Sequence, residues 1–357
     1  MKENKTLELS SNDIQITKGL AILTMLFLHL FCGVSGKGFM GTPILLLPNG
    51  TPFLYYIGWL CAICAPLFCV CNGYAHYKQG EIGGLTRKKV FKRYLKFMSC
   101  FALSVLVVSV FGLICGGGAI PGSLSNFILN LLALDYTYTS IWWYAWFYVC
   151  YVMLSPVFFK WINKVSLKWI LLFVLVQFFI VEGLHKKIPE MLAGSLYFKL
   201  YDHLYYLFGA RMLCYTAGML LAKYSIFTIF KSKMMHNSVM TSNLGLIVSV
   251  ILASFLLCIL KKGILLIFFA PIVFVWFNLL YKCKWVNVSF EWLGKQSLYI
   301  WLLHPFICYS TFPFLRNWLL SFKYSFLIIL VLIFSCSIIS VILNSISNLL
   351  IKQIQKI

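Results

Sequence analysis

Acidic residues are scarce in this sequence. Only nine Asp and Glu occur in 357 residues, and charged side chains of both signs make up 11%, against about 25% in a soluble domain. So little charge cannot cover a water-facing surface, which excludes a soluble enzyme. A disordered chain is excluded as well, because 61% of the residues are apolar or aromatic. No polar stretch between the apolar runs is long enough for a separate soluble domain. The strict alternation of barrel strands is missing, which sets aside a β-barrel. No G-x-S-x-G elbow occurs, which argues against a serine acyl-enzyme within the chain. The polar first 14 residues lead into an apolar run that carries Lys18 and His29 and has no small-residue cleavage site, so an uncleaved helix is expected there.

What is present is long apolar sequence. It points to an all-α, polytopic membrane protein of about ten transmembrane helices, at roughly 15–36, 53–77, 93–116, 139–159, 168–184, 205–223, 242–260, 263–281, 292–311 and 324–350. The expected organisation is a cytoplasmic segment 1–14, a transmembrane domain 15–350 and a cytoplasmic tail 351–357. The formal net charge is +21. In a soluble protein that would suggest nucleic acid. Here the cations lie between apolar runs, so lipid and topology account for them and no nucleic-acid partner is expected. With both termini inside, most cations fall on the cytoplasmic side, the runs at 87–96 and 160–168 among them. The short Lys261-Lys262 turn opposes the rule. The 13 cysteines are scattered through apolar runs, where Cys behaves as a small hydrophobe. Cys61 and Cys64 form a C-x-x-C with no flanking turn or second ligand pair, so no metal is expected.

Polar groups at bilayer depth are costly and are therefore functional candidates. No carboxylate falls in the middle of a predicted span, which weighs against proton-coupled transport and against paired-carboxylate glycoside chemistry. His29 does fall at bilayer depth. Lys18 precedes it by about three whole helical turns, so both project from one face, roughly 16 Å apart along the axis. Two readings fit this pair: a snorkelling lysine with a packing histidine, or a basic anchor at the membrane entrance with a general base further in. A second feature is TRKKVFKRYLKF, in which Lys89, Lys92, Arg93 and Lys96 share one helical stripe. Topology and anionic lipid explain such a stripe, and so does a clamp for the phosphates of a nucleotide donor.

KGLAILTMLFLH, with Lys18 and His29, resembles the first-helix motif of acyltransferase family 3, integral-membrane acyltransferases that mostly O-acetylate bacterial surface sugars. CAPLFCVCNGYAHY is similar to the family's P-L-F-F-x-x-S-G-Y segment at Pro66, Leu67, Phe68, Gly73 and Tyr74, with Asn72 in place of the usual Ser. Arg93 and Lys96 resemble the R-x-x-R that opens the third helix, with Lys for the second Arg and without the proline that often follows. Further similarity lies at Trp146, Phe147, Tyr151 and Pro156, at Arg211 before a Gly-containing helix, and at Gly294, Ser297 and His304 in WLGKQSLYIWLLHP. The resemblance covers about residues 13–310.

The resemblance implies a ten-helix O-acetyltransferase of the cell membrane, the bacterial cytoplasmic membrane being the expected one. It would take acetyl, or another acyl group, from cytoplasmic acyl-CoA as co-substrate, with no bound cofactor. The acceptor would be a hydroxyl of a lipid-linked or exported glycan. It further implies that His29 acts in acyl transfer and that Lys18, Arg93 and Lys96 handle the donor, with Lys89 and Lys92 beside them. Asn72, Trp146, Tyr151, Arg211 and His304 are candidates for the pocket or the acceptor. An aromatic belt explains Trp142, Trp143, Trp146 and Tyr151 equally well. Two competing readings are a glycan or lipid transporter or flippase, and a membrane scaffold with no chemistry.

Overall fold

The computed structural model describes residues 7–32, 39–116, 120–185, 187–192, 196–234 and 239–354. Of the cations used for topology, Lys2, Lys5, Lys37, Lys186 and Lys356 lie outside the described residues. Among those described, the fold is helical, with two isolated β-bridges and no strand. The helices are α1 (Ser11–Phe31), α2 (Phe53–Leu60), α3 (Cys64–Glu81), α4 (Arg87–Cys115), α5 (Leu124–Leu131), α6 (Trp143–Lys164), α7 (Leu167–Leu184) and α8 (Ile188–Leu192). They continue with α9 (Leu196–Leu207), α10 (Ala210–Lys223), α11 (Ile226–Met234), α12 (Val239–Leu260), α13 (Gly263–Leu279), α14 (Lys284–Cys308), α15 (Pro313–Leu320) and α16 (Ser325–Ile354).

Among the described residues, eight segments are long and apolar enough to cross a bilayer. The pair α14 and α15, bent by 89°, makes up to nine, and α13 is a shorter apolar helix of 17 residues. The all-α polytopic class therefore holds, and the ten expected positions match the eight spans, the bent pair and α13. Boundaries differ where local chemistry intervenes. The helix expected at 93–116 begins at Arg87, because the basic run contains no helix breaker and its lysines and arginines are good helix formers. The helix expected at 205–223 is two helices, α9 and α10, broken at Gly209, whose φ of 62° is left-handed. Pro305 does not end α14, which runs on to Cys308.

The chain divides into two compact units. One comprises Met1–Ala21, Ile63–Thr86 and Leu154–Gly294. The other comprises Ile22–Ala62, Arg87–Met153 and Lys295–Ile357. In the first unit α3 and α10 pack closely. A Cβ at Gly73 would strike the carbonyl of Tyr215, and a Cβ at Gly218 would strike the carbonyl of Val70. Small residues permit this backbone approach where lipid supplies no hydrophobic drive. Gly19 and Gly294 play the same part between α1 and α14, against the carbonyls of Phe290 and Gln15. The N-terminal segment is tied to this unit through Glu8. Its carboxylate accepts from the Thr228 N–H and hydroxyl, both at 2.8 Å, and from the Tyr74 hydroxyl at 2.5 Å. The acid thereby satisfies an orphan N–H at the start of α11.

In the second unit the core is aromatic. Trp142 is buried, edge-on to Phe101 and Phe306 at 5.0 and 5.5 Å, and its indole N–H donates to the Leu302 carbonyl at 3.0 Å. That bond holds the start of α6 against the half of α14 that carries His304.

Candidate active site

His29 lies on the buried face of α1 with Ile22, Met25 and Leu26, three to seven residues before it, and is only 9% exposed. Its Nδ1 is 2.5 Å from the hydroxyl of Tyr309, and the two rings meet edge to face at 5.7 Å. Tyr309 directly follows α14, where its backbone N–H donates to the Pro305 carbonyl at 2.8 Å. The hydrogen bond to Tyr309 occupies Nδ1 and leaves Nε2 as the nitrogen of His29 open to chemistry.

His304 is fully buried, with its ring centroid 5.1 Å from that of His29. Its Nδ1 is 3.0 Å from the Ile300 carbonyl. A carbonyl only accepts, so in the neutral ring Nδ1 carries the proton and Nε2 carries the lone pair. That Nε2 is buried and has no hydrogen-bond partner among the described residues. Pro305 follows His304 inside the helix. Pro305 lacks the N–H that would reach back to the Trp301 carbonyl, so the helix ladder loses one bond beside the Ile300 carbonyl that the imidazole meets.

Arg93 shares the inward stripe of α4 with Val90, Phe97, Cys100 and Phe101, all buried. It is half-buried, and its Nη1 is a buried donor without a partner among the described residues. Tyr148 of α6 lies within electrostatic reach of it. Lys89, Lys92 and Lys96 are exposed. The sequence stripe therefore separates into one inward guanidinium and three outward ammonium groups. Trp146 is half-buried, and Tyr151 is buried against Phe147, with ring centroids at 4.2 Å. All of these residues belong to the second unit.

Lys18, Asn72 and Arg211 belong to the first. Lys18 is half-buried in α1 beside Cys71, and Asn72 is buried in α3. Arg211 opens α10 with its guanidinium 4.7 Å from the centre of the Tyr205 ring and 5.1 Å from that of Tyr206. His185 is stacked on Tyr205 at 3.6 Å and 7°, and its Nδ1 is 3.0 Å from the Tyr201 hydroxyl. Burial holds the His185 imidazole below its usual range. The Glu182 carboxylate opposes that shift and the Arg211 charge adds to it.

Sequence reasoning missed Tyr309. A phenol one residue past a proline-containing apolar helix was the available signal, but no periodicity links it to His29, 280 residues earlier. Cys61 and Cys64 are buried free thiols.

The second unit of this multi-pass helical bundle buries two imidazoles side by side, together with one nitrogen of the half-buried Arg93 guanidinium, an arrangement suited to polar chemistry. Comparison with known families makes the class specific. Residues 11–344 match the family model described as an acyltransferase domain, acyltransferase family 3, and the chain belongs to that family. No curated protein and no solved structure matches it. The protein is thus a membrane-embedded acyltransferase, and the resemblance seen in its motifs extends over nearly the whole chain.

Proposed function

We propose that this acyltransferase moves an acetyl group from cytoplasmic acetyl-CoA to a hydroxyl of a lipid-linked or exported glycan, with both termini on the cytoplasmic side of the cell membrane. The observation that carries the reading is the buried His29 held at Nδ1 by Tyr309. With Nδ1–H donated to the phenol oxygen, Nε2 is a base. It takes the proton of the acceptor hydroxyl as that oxygen attacks the thioester carbonyl. The carbon–sulfur bond then breaks, and the proton on His29 is returned to the departing thiolate. His304, whose Nε2 has an unused lone pair beside His29, accepts from a second hydroxyl of the glycan and so orients the acceptor.

The partnerless Nη1 of Arg93 suits a phosphate oxygen of CoA, because a buried guanidinium N–H is costly unless an anion meets it. Lys89, Lys92 and Lys96 supply the outer positive field that draws the donor in. Trp146 and Tyr151, in the unit of His29, shape its acceptor side, while Lys18, Asn72 and Arg211, in the other unit, are candidates on the family resemblance alone. Transport of a glycan or lipid is the weaker reading, since family membership favours acyl transfer.

The test replaces His29 by Ala. Acetylated glycan is expected to vanish from mass spectra of the cells while the variant inserts at normal levels. Unimpaired acetylation would refute the assignment.

A further inference from the structure

Trp142, just before α6, and Trp301, on α14, are buried in the second unit but use their N–H groups differently. Trp142 donates to the Leu302 carbonyl at 3.0 Å. Trp301 is 5% exposed, and its indole nitrogen is a buried donor with no acceptor among the described residues. The ring is held edge-on to Tyr144 at 5.6 Å and 82°. A buried N–H without an acceptor is destabilising, and such groups are rare enough to call for an explanation.

Helix α14 sets that indole next to the two imidazoles. Trp301 and His304 are three residues apart, about 60° around the helix, so they share one face. The His304 ring is turned back along α14. Its Nδ1 is 3.0 Å from the Ile300 carbonyl and in reach of the Trp301 carbonyl that Pro305 cannot serve. The same ring stands 5.1 Å from that of His29. Tyr299 is placed otherwise. It lies about 140° around the helix from His304, on the side of Ser347 and Cys100.

Acyl transfer needs one group that the imidazoles do not supply. Attack on a thioester moves the carbonyl π electrons onto oxygen, and that oxyanion needs a hydrogen-bond donor. In the proposed mechanism His29 and His304 each present a lone pair at Nε2, so neither meets an anion well. We infer that the indole N–H of Trp301 is the oxyanion donor of this acyltransferase, and so a catalytic residue. The acceptor oxygen bonds to the carbonyl carbon as Nε2 of His29 takes its proton, and the new oxyanion accepts from the indole. When the oxyanion collapses, the carbon–sulfur bond breaks and the thiolate takes the proton from His29. An indole N–H is a donor only, so it faces the oxyanion without competing for that proton. The inference rests on acyl transfer at His29 as proposed above.

The test compares Trp301→Phe with Trp301→Tyr. Both lose similar bulk, and only Tyr keeps a donor on its ring, so a defect of packing would strike both alike. Rates are read as incorporation of labelled acetyl from acetyl-CoA in membranes of the native host with its own copy deleted, which hold the native acceptor. At saturating donor Trp301→Phe should be about a hundredfold slower, with KM for acetyl-CoA unchanged, and Trp301→Tyr should recover about tenfold of that loss. A second readout needs neither acceptor nor turnover. The infrared carbonyl band of carbon-13 acetyl-CoA bound to the purified full-length protein should lie at lower wavenumber than in free acetyl-CoA, and should return to the free position in Trp301→Phe. An unchanged rate in Trp301→Phe, a Tyr variant as slow as the Phe variant, a rise in KM at constant maximal rate, or a carbonyl band that ignores the substitution would each overturn the inference. Absence of any bound thioester band would overturn the donor assignment and the inference with it. Acetylation retained in His29→Ala would instead refute the base and leave the carbonyl band to decide the indole.

Discussion

Tyr309 and His29 are a pair in which the phenol can do something a packing residue cannot. In the proposed mechanism the phenol oxygen accepts the Nδ1 proton, which fixes the ring rotation, leaves Nε2 as the base and stabilises the charge His29 acquires during transfer. Removing the hydroxyl leaves a ring of the same shape at an edge-to-face distance of 5.7 Å. Tyr309→Phe is therefore expected to lower kcat roughly ten- to hundredfold, the worth of a hydrogen bond to a charged group, with KM for the acyl donor unchanged. Steady-state kinetics on the purified variant checks this; a rise in KM at constant kcat would place Tyr309 in donor binding instead. Residue identity alone revealed His29, since a histidine at bilayer depth is costly. It did not show which of Lys89, Lys92, Arg93 and Lys96 turns inward. Those four share a helical stripe, and only packing beside Phe97 and Tyr148 turns one of them inward.

Helices here meet through small residues, so element-scale stability rests on a few backbone approaches. Gly218→Leu forces a side chain into the Val70 carbonyl, with nothing flexible to yield. Overpacking of this kind costs about 1–3 kcal/mol or more, and thermal unfolding in detergent should show a lowered midpoint or loss of monodisperse protein. Leu at Gly245, which faces open space, should leave the midpoint near wild type. At the end of α13, burial lowers Lys282 to about 8. Asp13 opposes that shift and Lys231 adds to it. A lowered amine loses its proton earlier, so Lys282 should become reactive toward an acylating reagent as pH passes about 8, whereas an ordinary lysine waits until about 10. Peptide mapping of the labelled protein reads this directly. The unfolded state binds more protons between those two pH values, so this group makes stability rise with pH in that window. Element existence was legible from hydropathy, since each apolar run became a helix. The split at Gly209 and the start at Arg87 were not, because both depend on local geometry within a segment whose average composition reads as one span or as a loop.

For the whole molecule, charge distribution and helix count act together. The proposed topology combines an even number of crossings with a cation-rich inner side and puts both termini in the cytoplasm. A reporter active only outside the cytoplasm should accordingly stay silent when fused after Ile357 and become active when inserted in the loop that holds Asn49. The reverse pattern would invert the sidedness of the proposed donor path. Composition by itself determined that this chain lives in a bilayer, that it is helical, and that a buried imidazole is its prime candidate for chemistry. Those conclusions follow from transfer energies and helical period, which are properties of single residues and single segments. Only tertiary structure decided that Tyr309 holds His29, that His304 stands beside it, and that Arg93 alone of the four cations turns inward. Each of these depends on which faces of distant helices meet, and helical period specifies a face without naming its neighbour.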